Sequence, residues 1–167
     1  MFHFFIFKKG KNMKTLKTVL VILFIACFPL NIQAKRKPCH VKVSEFQKPY
    51  SGKCSWFRVD KTSAINPNAE NYVAMRWDYK KLANHWGFKG KKSTTKVVEK
   101  LKSCWVLVKN PETGKKTWGK PADWGPAAWT GRIIDLDPDI MEDLECEIDD
   151  RLVATLYEKK PLFSWFY

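Results

Sequence analysis

The sequence predicts a small all-β domain, a barrel or a sandwich, behind an export segment. Three observations predict it. Short runs rich in aromatic and β-branched residues recur along the chain, several with strict alternation. Glycine and proline turn signals punctuate them. Only one stretch, after Leu136, carries strong helix-start signals. A length of 167 residues fits one domain.

Residues 1–34 read as a signal peptide. From Met13 a lysine-bearing start leads into the apolar run Val19–Leu30, which ends at the small residue Ala34 before Lys35-Arg36-Lys37. The run is shorter than the roughly 20 residues of a spanning helix, which argues against a membrane anchor. Cys27 as a lipidated residue is disfavoured because the apolar run continues past it. A secreted or periplasmic, cell-envelope location follows, with membrane contact only through the signal segment before cleavage.

Residues 35–51 are polar with two prolines and read as an N-terminal arm. The barrel is expected over 52–160. Gly52–Val59 forms the first strand, Asp60–Asn71 a loop around Asn66-Pro67-Asn68, and Tyr72–Trp77 a second strand. Asp78–Gly90 has helical spacing that Gly87 and Gly90 end. Lys91–Lys102 reads as a basic linker whose Val97-Val98…Leu101 fits either a helical turn or a strand. Ser103–Lys109 is the clearest strand. Asn110–Gly114 is a hairpin turn in which Gly114 takes positive φ. Lys115–Ala122 returns as a strand that Pro121 confines to an edge or an end. Asp123-Trp124-Gly125-Pro126 bends sharply, and Arg132–Leu136 is the next strand. A short helix follows, with Asp137 as N-cap, Pro138 at its first position and acids in its first turn. Asp149-Asp150 turns into the last strand, Arg151–Tyr157. Residues 161–167 form an aromatic tail expected to pack on the barrel's outside.

Formal net charge is +13, from 30 Lys and Arg against 17 Asp and Glu. The signal segment holds five of the lysines and no acid, so the remainder carries 25 against 17, or +8. Such an exported chain suits anionic surfaces such as wall polymer. Export and the lack of an RNA-binding motif exclude a nucleic-acid partner. An acidic block over 135–150 contrasts with the basic residues upstream. Cys39, Cys54, Cys104 and Cys146 remain after the signal segment and are candidates for two disulfides, in any of three connectivities. Their spacing matches no metal motif and histidine is scarce, so no metal or other cofactor is expected.

Several of these stretches resemble one family. Gly52-x-Cys54-Ser55-Trp56-Phe57 resembles the Gly-x-Ala-Ser-Trp-Tyr opening of rare lipoprotein A-like (RlpA-like) domains. Val106-x-Val108-x-Asn110-Pro111-x-Thr113-Gly114-Lys115 is similar to that family's central hairpin. Ala122-Asp123-Trp124-Gly125-Pro126 with Gly131-Arg132-Ile133-Ile134-Asp135-Leu136 is similar to its Asn-Asp-Arg-Gly-Pro…Gly-Arg-Ile-Ile-Asp-Leu signature. The resemblance spans Gly52 to Tyr157 and is strongest from Val106 to Leu144. It implies a six-stranded double-psi β-barrel with one or two short helices, as in expansin N-terminal domains. It implies peptidoglycan or another polysaccharide as partner, a monomer, and for the enzymes of the family lytic transglycosylase activity. The motif aspartate falls on Asp123, the candidate acid and base. Met75 stands where the family has a histidine, and Trp124 where it has an arginine.

Glycosidic cleavage needs a proton donor at the leaving oxygen and a stabiliser of positive charge. Asp123 is the candidate catalytic residue. The alternative is that it only caps the bend. Asp135 is expected to support the barrel rather than to act. Sugars stack on aromatic rings, and of eight tryptophans Trp124 and Trp129 flank the bend. With Arg76 and Trp77 they are the candidate binding groove, while Trp56 and Trp105 are expected in the core or barrel wall. The functional alternatives are a wall-cleaving enzyme, a non-catalytic expansin-like module that binds polysaccharide or protein, and a secreted effector on the same barrel.

Overall fold

The computed structural model describes residues 38–60 and 62–161. The signal segment lies outside the described residues, as does the aromatic tail after Pro161. Six strands close into a barrel in the order β1-β5-β2-β4-β3-β6. The strands are β1 (Pro49–Trp56), β2 (Tyr72–Met75), β3 (Trp105–Lys109), β4 (Lys116–Asp123), β5 (Arg132–Leu136) and β6 (Arg151–Tyr157). Three short helices are added: α1 (Tyr79–His85), α2 (Ser93–Leu101) and α3 (Pro138–Leu144).

Two crossings define the topology. β5 runs between β1 and β2, parallel to the first and antiparallel to the second. β2 runs between β4 and β5 in the same way, parallel to β4. Each is a pair of sequential antiparallel strands with a third strand inserted between them. The remaining contacts, β1 with β6, β6 with β3 and β3 with β4, are antiparallel. Exchanging β1–β3 for β4–β6 maps this set of pairings onto itself. The fold is a double-psi β-barrel. Closure leaves no sheet edge exposed along the ring.

Alternation decides what lies inside. Val106 and Val108 of β3, Ile134 and Leu136 of β5, Val73 and Met75 of β2, and Leu152, Ala154 and Leu156 of β6 are buried. Each fully buried Val or Leu contributes about 1.5–3 kcal/mol. α3 forms where sequence signals place it: Asp137 accepts from the Asp139 amide at 3.1 Å and Pro138 follows it. Asn110 reaches that helix's other end, donating to the Leu144 carbonyl at 3.0 Å. In the same hairpin Gly114 has φ 75°, as its turn requires.

Three expectations are corrected. The arm is partly barrel: β1 already begins at Pro49, which as the first residue of a strand needs no N–H. Val43 is buried against Trp77, and the Tyr50 hydroxyl accepts from the Ser44 and Glu45 amides at 3.0 and 3.1 Å. The basic linker is α2. Val97 and Leu101, four residues apart, are its buried face, and the lysines are its outer one. The cysteines form no disulfide and all four described ones are free. Cys104 is fully buried beneath α2, its thiol 3.5 Å from the Lys100 carbonyl and pushed up to about 11 by burial.

Gly119 marks the tightest packing. A Cβ there would stand 2.6 Å from Val73 Cγ1, 3.0 Å from Ile140 Cδ1 and 3.2 Å from the Asn71 carbonyl oxygen. Gly119→Ala is therefore expected to destabilise the barrel by about 1–3 kcal/mol through overpacking. A urea midpoint equal to that of the unmodified chain would contradict the tight β4–α3 contact.

Candidate functional site

Strand register builds the site. Ala74 of β2 pairs with Asp123 of β4 on one side and with Asp135 of β5 on the other. Asp135 in turn pairs with Ser55 of β1. Asp123, Ala74, Asp135 and Ser55 thus form one row across four strands. The neighbours of Ala74 and Asp135 in sequence, Val73, Met75, Ile134 and Leu136, face the core, so the row faces outward. A register shift between Val73 and Ala74 inserts Ala122 opposite this point. Such a bulge re-aims the residue beside it. With strands about 4.8 Å apart, the Asp123 and Asp135 backbones are about 10 Å apart. Ala74 between them has only a methyl group.

Asp123 is half-buried and firmly oriented. One carboxylate oxygen, Oδ1, accepts from its neighbour Trp124's amide at 2.7 Å and from the Ala64 amide at 3.2 Å. Its carbonyl accepts from Trp77 Nε1 at 2.8 Å. The loop over 60–71 supplies the Ala64 donor. It is fixed across the end of β4 by the Ile65 and Asn66 amides, both 3.0 Å from the Ala122 carbonyl. Ile65 is buried beneath it. Tyr79 stands nearby, where burial and the Asp123 charge together push its hydroxyl above the usual range.

Asp135 ties β5 to β1, as a barrel support would. The helix cap is Asp137, two residues on, which leaves the Asp135 carboxylate free for the outer face. There the Ser55 hydroxyl donates to Oδ1 at 2.6 Å. Burial raises its carboxyl above the ordinary range, against the opposing pull of that bond and of the Arg132 charge. Gly125 lies against the other oxygen: a Cβ at Gly125 would be 3.1 Å from Oδ2. The bend after Asp123 therefore folds back over Asp135, and the two acidic positions share one patch. The outward position of Asp135 follows from its place between the inward Ile134 and Leu136. Its neighbours across the sheet were not visible in the sequence.

The other expected site residues divide. Trp124 and Trp129 are exposed, at 45% and 76%, and flank the bend. Trp77 is 1% exposed and is a buried support for Asp123, not a groove wall. Arg76 is 3% exposed and also leaves the groove. Its guanidinium bonds the Cys39 carbonyl, and Nε and Nη2 find no partner among the described residues. Met75, at the family's histidine position, is 1% exposed and pairs with Ile134 on the inward face. A side chain there points away from the acidic row. Trp56, expected in the core or wall, is 49% exposed because β1 ends there. It borders a depression of about 280 Å³ with Arg58, Pro138 and Met141.

A larger depression, about 370 Å³, lies elsewhere, on the outer side of β3, β4 and β6. Trp118 packs edge-on against Tyr157 in its wall, and Lys109 and Lys116 stand at its rim. The acidic row lies on another side of the barrel, where the bend at Gly125 covers Ala74, which is 2% exposed. Among the described residues no group of three or more His, Cys, Asp or Glu converges as a metal site.

No known family's sequence profile matches the chain, and no curated protein does. A rationally designed protein, mkDPBB_sym2, is similar among solved structures. It shares 16% identity over 65% of this chain and 98% of its own, with a TM-score of 0.37.

Two predictions follow from the acidic row and its inward neighbour. A carboxyl whose pKa is raised by folding holds its proton longer in the folded state. Stability should then be full below the ordinary Asp value, about 3.9, and fall as pH rises through the raised value. Asp135→Asn should abolish that fall and gain stability at neutral pH relative to the unmodified chain. Urea midpoints measured from pH 3 to 8 check this, and parallel curves for the two proteins would refute the buried carboxyl. Met75→His places an imidazole in the core. It should cost about 1–3 kcal/mol as an unpaired buried polar group. A histidine there that titrates like an exposed one by NMR would contradict the inward face.

Proposed function

We propose that the barrel is an exported wall-glycan domain of the RlpA-like kind that cleaves peptidoglycan strands as a lytic transglycosylase, with Asp123 and Asp135 as its acid–base pair. The observation that carries this reading is the row Asp123–Ala74–Asp135. It brings two carboxyls of unlike surroundings to one outward face, with a small residue between. Environments that separate two carboxyls are how acid and base roles are divided. Asp135, whose proton is favoured by burial, donates it to the glycosidic oxygen as the bond to that oxygen breaks. Asp123, oriented by the Ala64 and Trp124 amides, takes the proton of the sugar's own attacking hydroxyl and faces the positive charge that develops on the ring. Proton exchange with water restores both. Trp124 and Trp129 offer ring faces to the sugars on either side. The signature Asp123-Trp124-Gly125-Pro126…Ile133-Ile134-Asp135-Leu136 and the basic charge of the chain after its signal segment support the same substrate.

A second reading is a silent expansin-like binding module. It is favoured by the engagement of Asp123 Oδ1 with two backbone donors, an arrangement that by itself serves to hold a bend.

Incubation with purified peptidoglycan separates the two. Anhydro-muropeptides should be released by the unmodified protein, and Asp135→Asn and Asp123→Asn should each reduce the rate on the order of 10²-fold or more. Sedimentation with peptidoglycan that is weakened by Trp129→Ala, without any products, would establish the binding module instead.

A further inference from the structure

β1 is tied to the segment that leaves α3 at one residue. The Cys54 amide donates to the Asp150 carbonyl at 3.0 Å, and the Cys54 carbonyl accepts from the Asp149 amide at 2.9 Å. The Cys54 thiol donates to the Glu147 carbonyl at 3.3 Å. Glu145 ends α3 in a left-handed conformation, φ 50°, which turns the next residue, Cys146, back toward β1. Glu147, whose carbonyl takes the Cys54 thiol proton, directly follows Cys146, so the two cysteines lie on adjoining segments. The remaining cysteines are placed differently. Cys104 lies beneath α2 against Lys100, and the Cys39 amide bonds the Ala128 carbonyl at 2.8 Å.

We propose that Cys54 and Cys146 are a modification site: they take up a single disulfide from an external disulfide oxidant, which straps β1 to the exit of α3. Of the three possible two-bridge connectivities none is completed, since Cys39 and Cys104 stay as thiols. The order of attack follows from exposure and bonding. Cys146 is half-buried while Cys54 is fully buried. The neighbouring Cys54 holds the Cys146 thiol below the ordinary range, while Cys146 and burial push the Cys54 thiol above it. The Cys146 thiolate attacks one sulfur of the external disulfide, forming a mixed disulfide and releasing one thiolate. Cys54 then gives up its proton and attacks the Cys146 sulfur, releasing the second. Two protein thiols are oxidised and one external disulfide is reduced to two thiols. The strap has a local consequence. Ser55, next to Cys54, is the residue that holds the Asp135 carboxylate. Fixing Cys54 fixes that hydroxyl in the acidic row, whatever the row's chemistry proves to be.

The purified chain, treated with oxidised glutathione, alkylated and digested without reduction, tests the pairing by mass spectrometry. One linked pair of peptides containing Cys54 and Cys146 is expected, with Cys39 and Cys104 alkylated. Any other linked pair, or four alkylated cysteines, overturns the proposal. Cys54→Ser alters a core position and is a poor control. Cys146→Ser, at a half-buried site, should fold and form no internal disulfide. A glutathione-treated Cys146→Ser chain that links Cys54 to Cys39 or Cys104 counts against it. Oxidation should also raise the urea midpoint of the unmodified chain and leave that of Cys146→Ser unchanged. An equal response of both proteins refutes the strap. Neither readout depends on glycan cleavage, so failure of the enzyme reading leaves this test intact.

Discussion

Insertion of β5 between β1 and β2, mirrored by insertion of β2 between β4 and β5, is the constraint on which the molecule depends. Neither strand can be placed until the chain has gone round the barrel, because each takes its hydrogen bonds from strands distant in sequence. The two central strands are short, β2 with four residues and β5 with five. Their inward side chains make the middle of the core. Their outward ones, Ala74 and Asp135, are consequently forced into adjacency. The acidic row is a by-product of the same crossing that closes the barrel.

Around that row, support comes from groups that lie outside the row's two carboxyls. Trp77 spends its indole N–H on the Asp123 carbonyl, and the 60–71 loop spends an amide on the Asp123 carboxylate. Ser55 performs the equivalent task for Asp135. Preorganised donors of this kind cost no rearrangement when charge moves on a bound substrate. Gly125 completes the patch because a larger residue would meet the Asp135 carboxylate. The residues that hold the two carboxyls therefore come from β1, β2, the loop before it and the bend after β4, so the site is as well determined as the barrel itself.

Local features were legible in the sequence wherever a short-range rule governs them. The strands β3, β4, β5 and β6 follow from alternation, the 110–114 turn from Asn-Pro and Gly114, and α3 from Asp137 and Pro138. The exposure of Trp124 and Trp129 agrees with their place beside a bend. What failed had a common cause. Arg76, Trp77 and Trp56 were assigned by residue type, yet burial is set by which strands lie alongside. Arg76 and Trp77 are covered by the segment around Cys39 and Val43, and Trp56 extends past its neighbours. That Asp135 lies in one row with Asp123 was not legible, because the two are twelve residues apart in sequence and two strands apart in space.

The sequence by itself determined the class of fold and the order of most elements, because propensity, alternation and turn chemistry act over a few residues. Tertiary structure alone decided that Met75 faces inward, that α2 is a helix with its lysines outside, that Cys54 neighbours Cys146 rather than Cys39 or Cys104, and that Asp123 and Asp135 share a face. Those are questions of packing between segments far apart in the chain. For Met75 and the acidic row a register shift of one residue would reverse the answer, and no short stretch of sequence contains the information that fixes it.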